Sequence, residues 1–515
     1  MPSAIRETER KYEAPPGTSL PDLHDLPRVA SQSASREVRL DATYYDTATH
    51  DLAAAGITLR HRAGGEDAGW QLKVPAGRSR TRVESRLPER PGTSADVPAK
   101  FAELLTARLR GRPLRPVATI RTRRHLSTLA DAAGDPLAEV SLDTVTAEAL
   151  GHEAALTRWS EVEVELAERV EDAEGDRLLK AADRRLRRSG LTRSAYRMKL
   201  EVALAGELPR RPAREAASRP RASASAGDVV RAYLRAQLDE IVHRDLLVRR
   251  AEPDAIHRMR VAARRTRAAL QEFRKLFRGA QIENLIDELR WLGQELGRAR
   301  DEEVLRDLLV DQLDQVPVES VLGAVRARIT GHFVPRLADA ERQVQQVLGS
   351  ERYLRLLDEL EAFIADPPLV ADAEKRAASV LPRLVLHSLR RVKRRMRAAW
   401  QGAADERDSA LHDARKATKR ARYAAEAASL AMGKQARRSA KALKKLQSTL
   451  GDQHDAVIAA DALRTLAIRA HAEGENAYTY GLLRARQDER ASRLAERAAR
   501  QWRQANRPKR MAWMA

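Results

Sequence analysis

Glu7-Thr8-Glu9-Arg10-Lys11 decides how the first part of this chain is read. In a strand, residues two apart point to the same face, so Glu7, Glu9 and Lys11 stand in line. Two carboxylates offer hard oxygen ligands to a divalent cation, and the ammonium beside them suits a phosphate chain bound to that cation. One isolated strand of this kind is more often a solvated face; the weight comes from its company. Around 159–166, Glu161, Glu163 and Glu165 share one face while Val162, Val164 and Leu166 share the other. Thr58, Arg60 and Arg62 lie opposite Ile57 and Leu59, and Gln71 and Lys73 alternate with Trp70, Leu72 and Val74. Arg80, Arg82 and Glu84 fall in register, as do Arg121 and Arg123, and Glu139, Ser141 and Asp143 alternate with Val140 and Leu142. An open sheet with a wet polar face alternates in the same way. Here the polar face is almost wholly ionic, with acids gathered on some strands and bases on others. Closed into a barrel, such a sheet turns these charges inward, and unpaired buried charge is so costly that the lumen needs a charged, metal-bearing ligand or water.

Strands are predicted at 5–12, 36–45, 57–62, 70–74, 80–87, 119–129, 137–145, 157–166 and 196–202, with helices near 97–109 and 175–189. A segment at 205–227, rich in Pro, Arg, Ala and Ser without hydrophobic period, reads as a linker. From residue 228 to about 510 the pattern becomes long helices rich in Leu, Ala and Arg, broken at Glu252-Pro253-Asp254, Val316-Pro317 and Asp366-Pro367-Pro368. The fold class is α+β: a mixed module over 1–204 joined to an all-α module. With 515 residues, more than one domain is expected. The net charge of +21 calls for a polyanionic partner, with nucleic acid, polyphosphate and acidic lipid all open at this level. Aromatics at 4% argue against single-stranded nucleic-acid binding by stacking. The chain has no cysteine, which removes disulfides, thiolate metal sites and cysteine nucleophiles. The charged beginning and the lack of a long apolar run argue against a secretory signal or a membrane span, so a cytoplasmic protein is expected.

The helical part repeats itself. His257-Arg258-Met259-Arg260, followed by Arg264 and Arg267, matches His412-Asp413-Ala414-Arg415, followed by Lys419 and Arg422, 155 residues on (412 − 257). Leu296-Gly297 and Asp301 match Leu450-Gly451 and Asp455 at an offset of 154 (450 − 296). This describes a duplicated helical unit, each copy a bundle. Residues spaced 3, 4 and 3 apart lie along one side of a helix, and a third helix adds His387, Arg391, Arg394 and Arg397. A lone basic stripe is ordinarily a solvated face. Two copies without acids at i+4 repel themselves, and a bound polyanion offsets that repulsion.

Taken in order, Glu7-x-Glu9-x-Lys11, Tyr44-Tyr45-Asp46-Thr47, Leu59-Arg60-x-Arg62, Gln71-Leu72-Lys73 and Glu161-x-Glu163-x-Glu165 resemble the CYTH family of triphosphate tunnel metalloenzymes, over residues 1–204. The resemblance implies an eight-stranded antiparallel β tunnel with flanking helices that binds triphosphate with Mg²⁺ or Mn²⁺. It implies Glu7, Glu9, Glu161, Glu163 and Glu165 as the metal-ligand set. Lys11, Arg60, Arg62, Lys73, Arg82 and Arg123 become the phosphate cradle, and Asp143 and Glu139 further acidic candidates. Glu7, Glu9, Lys11, Glu163 and Asp143 are the expected catalytic group. The family usually carries Ser-Lys near its final strand, whereas this chain reads Ser194-Ala195-Tyr196. Arg193, Arg197 and Lys199 share the parity of position 195, so one of them is expected there, and Arg197 is placed in the cradle.

The helical motifs His257-x-x-Arg260-Val261-x-x-Arg264-Arg265 and His412-x-x-Arg415-Lys416-x-x-Lys419-x-x-Arg422-Tyr423, with Leu446-Gln447-x-x-Leu450-Gly451-Asp452, resemble the CHAD domain. The resemblance implies two pseudo-symmetric four-helix bundles whose basic surface binds inorganic polyphosphate. The expected contacts are His257, Arg260, Arg264, Arg267, His387, Arg391, Arg394, His412, Arg415, Lys419 and Arg422. The expected function is metal-dependent hydrolysis of inorganic triphosphate beside a polyphosphate-binding module, with association with polyphosphate granules. The alternative is a polyphosphate-binding protein that hydrolyses little. Nucleic-acid binding explains the charge but neither the duplicated stripes nor the carboxylate strands, and nucleotide cyclisation is a weaker option.

Overall fold

The computed structural model describes residues 4–76, 81–88, 96–151, 155–205, 220, 223–403 and 406–514. They form two compact units, 1–215 and 216–515. Most of the expected linker, and Arg80, lie outside the described residues.

The first unit is a closed antiparallel barrel. Its eight long strands are β1 (Ala4–Ala14), β2 (Arg36–Asp46), β3 (Thr58–Ala63), β4 (Gly69–Pro75), β5 (Thr81–Pro88), β6 (Arg115–Ala130), β7 (Pro136–Ala149) and β8 (Ala155–Leu166). Around the barrel the order is β1-β5-β4-β3-β2-β6-β7-β8, and β8 returns to β1. Two short pairs, Ser31–Gln32 on β6 and Thr192–Arg193 on β1, extend the sheet. Closure leaves the ionic sides of the strands facing the lumen and their apolar sides to be covered. Helix α1 (Asp172–Arg188) lays Leu178, Leu179 and Leu186 on Tyr12, Val140, Val162 and Val164. A short helix, Lys199–Ala203, buries Leu200 with Ala203 and Leu204 against Val145 and Ala147. A strand had been expected at 196–202; the spacing of Leu200, Ala203 and Leu204 is helical, and Met198 and Leu200 two apart imitate a strand only locally.

The second unit is all-α: α2 (Ala226–Arg249), α3 (Ala255–Glu272), α4 (Gln281–Leu313), α5 (Val325–Gly349), α6 (Glu351–Ala365), α7 (Ala377–Gln401), α8 (Arg407–Ala472) and α9 (Tyr478–Ala505). Helix α8 is two arms, 407–432 and 434–472, broken at Gly433 (φ 65°, ψ −133°). That positive φ is a conformation glycine adopts without penalty. The arms run antiparallel, since Arg422 donates to Gln447 (3.1 Å) and the His412 and His454 rings lie 4.1 Å apart. Helices α2 to α5 form the first copy of the repeat, and α7, the two arms of α8, and α9 form the second, with α6 between them.

Candidate active site and anion-binding surface

Parity carries the charges into the tunnel. Glu7, Glu9 and Lys11 on β1 are buried, as are Arg60 and Arg62 on β3, Lys73 on β4, and Glu161 and Glu163 on β8. All of these but Glu161 line a cavity of about 330 Å³ together with Tyr44, Asp67, Arg82, Arg86, Arg124, Glu139, Glu165 and Lys199. The register sets acid against base: Glu7 lies opposite Arg82, Lys73 opposite Glu84, Lys11 opposite Glu163, and Arg124 opposite Asp143.

The resulting ion pairs are dense. Lys73 bonds Glu7, Arg82 bonds Glu9, and Lys11 bonds Glu163 while approaching Glu9 at 3.3 Å. Arg124 grips both oxygens of Asp143 (2.8 and 2.7 Å) and reaches Glu163 at 2.6 Å. Lys199 Nζ sits 2.9 Å from Asp143 and 2.8 Å from Glu161, and also bonds Glu163. Arg60 is held by Gln71 (2.7 Å) and by the Tyr44 hydroxyl (3.0 Å), and Arg62 by Asp67 (2.8 and 2.6 Å).

Burial alone pushes a carboxyl pKa up; in Glu163 it is overcome by Lys11, Lys199 and Arg124, and in Asp143 by Lys199 and Arg124, so both stay below the ordinary range. Glu7 is likewise held low, against burial, by Lys73 and Arg82. Glu165 goes the other way: burial, then Glu7, raises it well above the ordinary value.

Asp143, Glu161 and Glu163 bring one carboxylate oxygen each to within 4.8 Å of one another, all buried. Three hard oxygen donors at this separation fit a divalent cation. Of the expected metal set, Glu161 and Glu163 belong to this cluster. Glu7 and Glu9 lie on β1, the strand next to β8, and are held by Lys73 and Arg82, and Glu165 stands opposite Glu139 toward one end of β7 and β8.

Two cradle expectations require correction. Arg123 is exposed, while Thr122, Arg124 and Leu126 turn inward. The inward side of β6 is mostly uncharged, so grouping Arg121 with Arg123 selected the outer face. Arg197 is exposed as well, and Lys199 occupies the lumen. The turn into the short helix, unlike a strand, aims position 199 at the acids.

In the helical unit the two stripes face each other. Arg260 and Arg264 of α3 lie near enough to Arg415 and Lys419 of α8 to disfavour their charged forms, in addition to burial. Lys419 is pushed down to about 6. The repeated glycines lie beside these arginines: a Cβ on Gly297 would crowd the Arg260 guanidinium at 3.1 Å, and one on Gly451 would make ordinary contact with Arg415 at 3.7 Å. Arg260 also pairs with Asp301 at 2.8 Å. His412 Nδ1 and Arg415 Nε are buried without a hydrogen-bond partner among the described residues. Arg267 is half-buried, its pKa lowered by burial and then by Arg290 and Arg420. His257 is half-buried, and Arg422 is held by Glu426 (2.7 Å). On α7 the expectation divides. Arg391 is committed to the buried Glu272 (2.8 Å), whereas His387, Arg394 and Arg397 are exposed. His454, missed in the sequence, joins His412, and burial with that neighbour lowers it to about 4. No described helix is long and apolar enough to cross a membrane.

Comparison with known proteins agrees with both halves. Residues 6–195 match the family model for the CYTH domain, and residues 232–464 match that for the CHAD domain. Proteins from two Mycobacterium tuberculosis strains, both described as uncharacterized, are 36% identical over 513 residues, covering 96% of this chain and 95% of theirs. Among solved structures, the CHAD domain from the plant Ricinus communis is similar at 28% identity, covering 55% of this chain and 93% of that one with a TM-score of 0.45. A Hippeastrum protein described under adenylyl cyclase with a dominant triphosphatase activity is similar at 18% identity, covering 41% of this chain and 99% of that one with a TM-score of 0.25.

Proposed function

From the premise that the chain belongs to the CYTH family in its N-terminal unit and carries a CHAD domain behind it, we propose that the tunnel hydrolyses inorganic triphosphate with Mg²⁺ or Mn²⁺ and that the helical unit binds inorganic polyphosphate. The observation that supports the first half most is the lining itself: buried cations and carboxylates around a cavity of about 330 Å³, with Tyr44 the one aromatic among the lining residues. Tyr44 is engaged by Arg60, so a nucleobase meets no stacking platform, which favours an inorganic substrate over a nucleotide.

Asp143, Glu161 and Glu163 would hold the divalent ion, with Glu7 and Glu9 on the adjoining strand β1. When bound, the ion supplies Lewis-acid polarisation of a phosphoryl oxygen. Lys73, Arg82 and Arg124 exchange carboxylate partners for non-bridging phosphate oxygens. Arg60, pre-aimed by Gln71 and Tyr44, adds a planar guanidinium fork. These fixed positive charges stabilise the charge that spreads over the transferring phosphoryl group. Burial strengthens each of them by excluding water. The charge-assisted bonds already formed within the lumen keep the cradle ordered until substrate enters.

For the helical unit, the supporting observation is the convergence of Arg260, Arg264, Arg415 and Lys419 beside buried nitrogens of His412 and Arg415 that lack partners among the described residues. A phosphate chain supplies acceptors and cancels the mutual repulsion. The protein would thereby be held on polyphosphate, in granules where these form.

The deciding experiment is phosphate release by the full chain from inorganic triphosphate, ATP, thiamine triphosphate and long-chain polyphosphate, with Mg²⁺, Mn²⁺ or EDTA. EDTA-sensitive release, greatest from inorganic triphosphate and abolished in the Glu7→Ala/Glu9→Ala double variant and in Glu163→Gln, is the expected result. Activity unchanged in those variants sinks the assignment. Absence of release from every substrate, with polyphosphate binding intact, makes the protein a binding module; cyclic nucleotide from ATP makes it a cyclase.

A further inference from the structure

The two copies of the helical repeat differ in charge on one face. On the second arm of α8, Lys434, Arg437, Arg438, Lys441, Lys444 and Lys445 are all exposed. At 100° per residue they occupy an arc of about 120°. None of the six forms an ion pair with a carboxylate among the described residues, and Arg437 donates only to the Gly433 carbonyl (3.3 Å). Several of them stand three or four apart, where like charges destabilise the helix that carries them.

The fold does not require this. At the repeat offset of 154, Arg437 corresponds to Glu283 (437 − 154) and Lys441 to Asp287 (441 − 154). On the first copy the equivalent positions of α4 are exposed too, but their charges are paired. Glu283 pairs with Arg274, and Asp287 with Arg290 at 2.7 Å. From α6, Arg352 reaches Glu288 at 2.7 Å and stacks 4.1 Å over Trp291, while Asn284 donates to Glu359 at 2.9 Å. The second copy keeps the helix, puts cations where the first has Glu283 and Asp287, keeps one at Lys444 where the first has Arg290, and leaves these cations without an acid partner among the described residues.

The ridge also continues from the basic stripe. Gly451, against which Arg415 lies, Lys444 and Arg437 are seven residues apart in turn, so they follow one line along the arm. From Gly451 to Lys434 that line is roughly 26 Å long at 1.5 Å per residue.

We propose that this ridge is an extension of the anion-binding surface, along which a long inorganic polyphosphate chain runs after leaving Arg415 and Lys419, so that the helical unit selects long chains over short ones. The inference rests on the reading of the helical unit as a polyphosphate binder. Four lysines and two arginines without aromatic or base-reading side chains suit a uniform chain of phosphates, and simultaneous engagement of stripe and ridge raises affinity through effective concentration. Duplex nucleic acid is the competing polyanion, and the stripe at the foot of the ridge, partly buried, favours the thinner chain.

The test compares the full chain with an Arg438→Gln/Lys441→Gln/Lys444→Gln/Lys445→Gln variant, in EDTA to stop turnover. Affinities are measured for polyphosphates of roughly 5 and roughly 100 phosphates and for duplex DNA. The expected result is a long-chain affinity reduced about ten-fold or more in the variant, a shallower salt dependence, and an unchanged short-chain affinity. A second measurement needs no variant: wild-type affinity should step up once the chain spans stripe and ridge. Equal long-chain affinity in both proteins overturns the ridge alone. Loss of DNA binding with polyphosphate binding intact reassigns it to nucleic acid and overturns the proposal. Equal losses for short and long chains show general attraction and also overturn it. No polyphosphate binding by the wild type overturns the underlying reading, and this inference with it.

Discussion

Lys199 shows how narrowly a side chain is assigned to a lumen. It bridges Asp143, Glu161 and Glu163, while Arg197, two positions earlier, is exposed. Lys199→Met is therefore expected to lower kcat/KM for triphosphate about a hundred-fold, with Arg197→Met near wild type. Arg124→Met and Arg123→Met should divide in the same way, and initial rates for the four variants check both pairs. The alternation of Glu7, Glu9 and Lys11 with their neighbours was legible because both faces of those strands are chemically distinct. Arg124 was not, because its own face carries Ile120, Thr122 and Leu126. In the helical unit, Lys419 is held at about 6 by burial first and then by Arg415, Arg264 and Arg260. A bound polyanion favours its charged form, so binding takes up a proton. Polyphosphate affinity should rise as pH falls from 8 toward 6, and Lys419→Arg should flatten that rise. Titration calorimetry in two buffers of different ionisation enthalpy reads the proton uptake directly.

Elements decide what these residues can reach. The short helix Lys199–Ala203 is anchored by Leu200, which is 1% exposed. Leu200→Ala should cost about 2–5 kcal/mol of stability, measured by chemical denaturation, and should lower activity as well by freeing Lys199. Its helical form is masked in the sequence because Met198 and Leu200, two apart, imitate a strand over so short a segment. The long arms of α8 were legible as a duplicated pattern, yet the stacking of His412 on His454 depends on how the arms pair after Gly433, which spacing within one arm cannot reveal. Strands β7 and β8 place Asp143 and Glu163 among cations that depress their pKa values. Groups depressed in the folded state contribute stability above their unfolded pKa and lose it on protonation. The barrel should therefore weaken as pH falls below the ordinary carboxylate range, while Glu165, shifted upward, contributes in the opposite sense. Urea midpoints between pH 7 and 3 check the balance, with net destabilisation at low pH expected.

At the scale of the whole molecule, most of the net charge of +21 lies on the helical unit, while the cations of the sheltered lumen are largely balanced by carboxylates. Screening acts on exposed charge far more than on buried charge. Added NaCl should thus weaken polyphosphate binding steeply while changing the KM for triphosphate much less, a contrast that parallel titrations would expose. The arrangement of a tunnel followed by duplicated bundles was readable because each carries its own period, two in the strands and three to four in the helices. The closure of the barrel has one more consequence. β1, the first strand made, finds half of its partners in β8, with Glu9 opposite Glu165. During synthesis it must wait for about three quarters of the tunnel unit to emerge, with a costly long loop to close. Folding of this unit should therefore be late, slow and dominated by distant pairings, and the onset of catalysis on refolding would mark the moment at which the ring is sealed.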